Sequence, residues 1–160
     1  MGDDSGTGTD TGIAGIGGLL GLKPGPVVLD DHDPQGTPGF EGDKKDGKKA
    51  LADLEDEIVE LQTKLAAEGY TGGHRSLLVV LQGMDTSGKG GVLRHTVGLV
   101  DPQGVRITSF KAPTKTELRY DFLWRIRRAL PEAGYLGVFD RSHYEDVLIA
   151  RVRKLAPAKE

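Results

Sequence analysis

The chain has 160 residues, enough for one modest domain, and its formal charge of −3 gives no long-range basis for binding nucleic acid or a membrane surface. It contains no cysteine, which excludes a disulfide framework and thiolate or Cys-zinc chemistry. No apolar run approaches the roughly 20 residues of a membrane helix, and the acidic, Gly-rich start lacks the basic n-region of a secretory signal, so a cytoplasmic protein is the expectation.

Residues 1–21 are mostly Gly, Asp, Thr and Ser. They offer too little apolar surface to offset their ordering entropy and are expected to be disordered. Residues 23–46 add Pro24, Pro26, Pro34 and Pro38. They read either as more tail or as a strap anchored by Val27, Val28, Leu29 and Phe40. The folded domain is expected from residue 47 onward.

Residues 48–68 read as one amphipathic helix. Leu51, Leu54, Ile58, Leu61 and Leu65 recur three and four apart and share a face expected to dock on the domain. Gly69 and the Gly72-Gly73 pair end it. Residues 76–81, SLLVVL, form a continuous apolar run, as in a strand buried on both faces. A helix is expected at 89–100, a strand at 105–110 and a helix at 114–130, opened by the capping-box pair Thr114 and Glu117. Pro131 and Gly134 stop that helix. A strand at 135–139 and a helix at 145–155 follow. This alternation predicts an α/β fold, a parallel sheet with helices on both faces.

Between the first strand and its helix lies Gly83-Met84-Asp85-Thr86-Ser87-Gly88-Lys89-Gly90-Gly91, which fits the G-x-x-x-x-G-K pattern of a phosphate-binding P-loop. Glycines let backbone N–H groups converge in a concave nest. The helix N-terminus adds free donors, and Lys89 adds a compact charge for the outer phosphates. The alternative is a Gly-rich turn that binds nothing; the flanking strand and helix argue against it. Gly90 replaces the Ser or Thr whose hydroxyl usually holds Mg²⁺. Asp85 offers a hard oxygen ligand instead, or else shapes the loop as an Asx turn.

The third strand ends in Asp140. In an open parallel sheet, ligands gather outside the carboxyl ends of the strands. If this strand neighbours the first, Asp140 and Asp85 face the same phosphates, where a shared cation would relieve their repulsion. Otherwise Asp140 is a helix N-cap. Arg141 follows, with a planar fork suited to phosphate oxygens or to solvent. Lys111 ends the second strand at the same rim, and Glu145 opens the last helix. Both are weaker substrate candidates. Arg125, Arg127 and Arg128 beside Trp124 read as a solvated basic helix surface, with phosphate capture as the alternative.

The runs LLVVLQGMDTSGKGG, GVRITSFKAPT, DFLWRIRRALP and GVFDRSHYEDVL, with TPGFEGDKK upstream, resemble the polyphosphate kinase 2 family over residues 27–155. The resemblance implies a thymidylate-kinase-like P-loop fold. It implies reversible, Mg²⁺-dependent phosphoryl transfer between inorganic polyphosphate and nucleoside mono- or diphosphates. Gly83, Asp85, Gly88, Lys89 and Gly90 would form the phosphate loop, Asp85 and Asp140 the metal site, and Arg141 a phosphate ligand. Asp85 or Asp140 would also orient the nucleophile or take its proton. Tyr144-Glu145 and the QGMD and FKAP runs look like the subgroup acting on both monophosphates and diphosphates. A homo-oligomer is implied for the complete protein. The family continues past residue 160 with a basic helical lid and further strands. A fragment is therefore expected, poorly soluble and of little activity by itself. The competing readings are a P-loop small-molecule kinase using ATP and a non-catalytic phosphate or nucleotide binder.

Overall fold

The computed structural model describes residues 13–145. The chain divides into two compact units, residues 1–50 and 51–160. The helix expected at 145–155 lies outside the described residues, apart from its first.

In the first unit, Ile13–Leu20 forms helix α1 where composition predicts disorder. This octet, IAGIGGLL, is the one apolar stretch of the Gly-rich start. Val27, Val28, Leu29 and Phe40 stay exposed instead of serving as buried anchors. Asp43 starts helix α2 (Lys44–Asp53) by accepting the N–H groups of Lys45 and Asp46 at 2.6 and 3.0 Å. These bonds, that from Asp46 first, hold its carboxyl below the usual aspartate range.

The single helix expected at 48–68 is two helices. α2 ends at Asp53, Leu54 leaves the helical hydrogen-bond pattern, and helix α3 runs Glu55–Tyr70. The docked face of α3 is also rotated from the one the leucines predict. Leu54 and Leu61 are exposed, whereas Gln62 is buried. Gln62 grips the backbone of Asp101, donating Nε2 to its carbonyl and accepting its N–H, both at 2.8 Å. Two satisfied amide bonds make its burial tolerable.

Strands β1 (Leu77–Leu81), β2 (Val105–Ser109) and β3 (Leu136–Asp140) form a parallel sheet in the order β1-β3-β2. The expected alternation therefore holds, with the last strand in the middle. Leu81, Asp140 and Ser109 lie in one row at the carboxyl end. Val138 and Phe139 are almost fully buried and, as successive strand residues, point to opposite faces. Both faces of β3 are thus covered, each side chain contributing about 1.5–3 kcal/mol. Phe110 meets Phe139 edge-on at 4.8 Å. The outer strands are less covered, with Leu77, Val80 and Ile107 exposed.

Two expected helices are shorter than their patterns. Helix α4 spans Lys89–His95 and gives way to a 3-10 turn at Val97–Leu99. Gly90 and Gly91 at its start, and Thr96, Val97 and Gly98 at its end, are weak helix formers. The predicted 114–130 helix becomes a 3-10 turn at Glu117–Arg119 and helix α5 (Trp124–Ala129). The capping box still forms: Thr114 N–H donates to Glu117 Oε2 at 2.6 Å, and Glu117 N–H to Thr114 Oγ1 at 3.3 Å. The first of these bonds depresses the Glu117 carboxyl below its usual range. Asp121 then starts the second piece, accepting the Leu123 N–H at 2.9 Å.

α3 packs closely on the turn before β3. A methyl group at Gly69 would sit 2.7 Å from Gly134 Cα and 2.8 Å from the Ala133 carbonyl oxygen. Backbone atoms cannot yield as a flexible side chain does. Gly69→Ala is therefore expected to destabilise the fold by about 1–3 kcal/mol, read as a lower thermal midpoint. An unchanged midpoint would mean that α3 does not rest on this turn.

Candidate phosphate-binding site

The segment between β1 and α4 turns in a tight loop. Ser87 N–H donates to the Met84 carbonyl at 3.2 Å, and Gly91 N–H to that of Gly88 at 2.8 Å. Gly88 has φ 93°, a left-handed conformation suited to glycine. Thr86 shares that region at φ 70° without being glycine, a strain of about 1–2 kcal/mol. Left-handed residues in such a turn help gather successive N–H groups into an anion-binding concavity. Lys89 lies at the first position of α4, and its Nζ donates to the carbonyls of Gly83 at 2.7 Å and Met84 at 2.8 Å. The ammonium is thereby folded over the loop. Met84, Gly90 and Gly91 are exposed, and no heavy atom outside α4's own backbone and their chain neighbours comes within 4 Å of a Cβ built at either glycine.

The sheet brings the second acidic residue to the same rim. β3 neighbours β1, as the metal hypothesis requires, and Asp140 pairs in register with Leu81, two residues before Gly83. Arg141 N–H donates to the Leu81 carbonyl at 2.9 Å, and Phe110 N–H to the Asp140 carbonyl at 3.0 Å. The Asp140 side chain accepts from Ser109 Oγ at 3.3 Å. Arg141 has φ 69°, a second strained non-glycine residue. Strain of this kind concentrates at functional sites. Its Nη2 makes a short ion pair with Asp85 Oδ1, and its Nη1 lies 3.8 Å from Glu145 Oε1.

Asp85, Lys89, Asp140, Arg141 and Glu145 therefore gather at one end of β1 and β3. Lys111 is exposed, and its carbonyl accepts Arg125 Nη1 at 2.7 Å. That bond corrects the reading of Arg125 as a solvated arginine: it is buried and supports the chain after β2. Arg127 meets solvent beside Asp121 at 3.4 Å, and Arg128 lies over the Trp124 ring. Sequence reasoning missed Gln82 and the burial of Ser142, whose Oγ donates to Gln82 Oε1 at 3.3 Å. A polar residue closing the apolar run SLLVVL was the available signal.

Asp85 and Asp140 supply hard oxygen donors, which suit Mg²⁺. Among the described residues no cluster of three His, Cys, Asp or Glu forms a cation cage. Mg²⁺ is commonly held by one or two carboxylates plus substrate phosphates, so a two-aspartate set fits it. Asp85 would have to exchange its Arg141 contact to take part.

Comparison with known proteins bears on the family of the chain. The polyphosphate kinase 2 (PPK2) family profile matches residues 41–160. A crystal structure of polyphosphate kinase 2 from Arthrobacter aurescens TC1 superposes with a TM-score of 0.79 at 54% identity, covering 86% of this chain and 48% of that one. The AMP/ADP-polyphosphate phosphotransferase of Meiothermus ruber is 46% identical over 133 residues, which is 83% of this chain and 48% of that protein. The ADP-polyphosphate phosphotransferase of Rhodopseudomonas palustris is 52% identical over 83 residues, 52% of this chain and 29% of that protein. This chain thus spans about half the length of such relatives, or less. With a parallel sheet and a family match over most of its length, the chain belongs to the polyphosphate kinase 2 family.

Proposed function

We propose that the protein catalyses reversible, Mg²⁺-dependent phosphoryl transfer between inorganic polyphosphate and nucleoside mono- or diphosphates. The observation that carries this reading is the loop at residues 83–91, with Lys89 folded over it and Asp85 and Arg141 paired beside it. A nest of N–H groups and an ammonium suits a chain of phosphates better than a lone carboxylate. The names of the relatives, which pair polyphosphate with AMP or ADP, support the same substrates.

The chemistry needs no covalent enzyme intermediate. A terminal phosphate oxygen of the nucleotide attacks the end phosphorus of polyphosphate in line. The bond to the leaving oxygen breaks, and the shortened polymer departs with that oxygen's electron pair. Lys89 and the loop N–H groups would stabilise charge on the moving phosphoryl group. Arg141 would hold the adjoining phosphate oxygens. Asp85 and Asp140 would hold Mg²⁺ and orient the attacking oxygen. Mg²⁺, when bound, neutralises charge on the phosphate oxygens. A cytoplasmic location and a homo-oligomeric complete protein belong to the same reading. Among the described residues no helix is long and apolar enough to cross a membrane.

The test is a donor and acceptor panel on the product of the full reading frame. Polyphosphate is expected to phosphorylate AMP and ADP with Mg²⁺ and to fail with chelator. Transfer from ATP but not polyphosphate would replace the reading with that of an ATP-dependent small-molecule kinase. Binding of Mg²⁺-nucleotide without turnover would make the protein a binder.

A further inference from the structure

Gln82 is the residue immediately before the phosphate loop, and its side chain reaches across to the segment after β3. Nε2 donates to Glu145 Oε2 at 2.7 Å, while Oε1 accepts from Ser142 Oγ at 3.3 Å. A carboxylate only accepts hydrogen bonds, so the amide must turn its NH₂ to Glu145. That leaves its oxygen to accept the Ser142 hydroxyl. Ser142 is itself fixed, being buried and accepting the Tyr144 N–H at 3.2 Å. The far oxygen of Glu145 stops 3.8 Å from Arg141 Nη1, and the other arm of Arg141 meets Asp85.

The consequence is electrostatic. Arg141 stands between two carboxylates, Asp85 and Glu145. An unrestrained Glu145 could close on the guanidinium as a full hydrogen-bonded pair, competing with any phosphate. Alternatively it could swing away and leave the arginine without direction on that side. Gln82 bonds one oxygen of Glu145 while the other stays 3.8 Å from Arg141, within ion-pair range but short of a hydrogen bond. We propose that Gln82 is a positioning residue for phosphoryl transfer. It fixes the Glu145 carboxylate and through it aims the Arg141 guanidinium at the phosphates bound by the loop. This rests on the reading of Arg141 as a phosphate ligand.

The experiment is a double-mutant cycle in the full-reading-frame protein, comparing Gln82→Met, Glu145→Ala and the double variant with wild type. Methionine keeps the length of glutamine but neither accepts nor donates an amide bond. Gln82→Met is expected to lower kcat/KM for polyphosphate about tenfold, the scale of a lost hydrogen bond to a charged group. In the Glu145→Ala background the same change is expected to add less than about twofold, because its target is gone. Equal losses in both backgrounds, or no loss in the wild-type background, would overturn the proposal. A crystal structure of unliganded Gln82→Met supplies a readout independent of turnover. Glu145 and Arg141 are expected to move. If they superpose on wild type, the proposal fails whatever the activity. Absence of polyphosphate transfer in wild type would count against the functional reading, and the crystal structure would still decide the role of Gln82.

Discussion

Lys89→Met is expected to lower phosphoryl transfer by about 10³-fold, the scale at which a single preorganised donor to a transition-state charge acts, and to leave the fold in place. In the unliganded protein the ammonium bonds the carbonyls of Gly83 and Met84. Met84 is exposed and Gly83 half-buried, so water can replace the ammonium there. The variant's thermal midpoint should therefore shift by only a few degrees. With an oligoanion in the loop the balance changes. Lys89 would then face charged oxygens, and a charge-assisted bond to them is stronger than one to a neutral carbonyl. The loss should fall mainly on kcat if the ammonium meets the phosphoryl group in flight. It should fall on KM if it only anchors the ground state. Steady-state kinetics with polyphosphate as donor separates the two. Activity within tenfold of wild type would remove Lys89 from the chemistry.

Asp85→Asn is expected to reduce turnover by about 10²-fold or more, on the scale set by losing one electrostatic element of a phosphoryl-transfer site. It should also raise the Mg²⁺ concentration for half-maximal rate about tenfold or more, because an amide oxygen is a poorer ligand for a hard dication. Stability should barely change. The Asp85 side chain is 83% exposed in its pair with Arg141, and ion pairs of that kind contribute about 0–1 kcal/mol. In the proposed role the carboxylate holds Arg141 when no phosphate is present and would be available to a cation when one is. A Mg²⁺ titration of the rate is the measurement. If half-saturation stays at the wild-type concentration while turnover falls, Asp85 acts on Arg141 and not on the metal. If neither changes, both roles are wrong.

The candidate site was legible in sequence to the extent that it is local. The nine residues from Gly83 to Gly91 are contiguous, and the strand before them and the helix after them are written in the same stretch. The Thr114–Glu117 box was likewise readable, because its two hydrogen bonds span three residues. What followed the box was not, since residues 114–130 carry a helical pattern that breaks after Arg119. Gly90, Gly91 and Gly98 similarly made the first crossover helix shorter than its apolar spacing implied. Local hydrogen bonding at Asp121 and weak helix propensity outweighed periodicity in these places.

By itself, then, the sequence determined the three strands and their alternation with helical segments, the contiguous Gly-rich motif and the family. Apolar runs, turn residues and a contiguous motif are properties of neighbours along the chain. Only the tertiary structure decided that β3 lies between β1 and β2, and that α3 docks through Gln62 while Leu54 and Leu61 face solvent. It also decided that Arg125 is a buried support. The pairs Asp85–Arg141 and Gln82–Glu145 join residues 56 and 63 positions apart, and each forms because the parallel pairing of β1 with β3 sets their ends side by side. Contacts at such separation depend on loop closure and on the packing of both faces of the sheet. No periodicity or short motif encodes them.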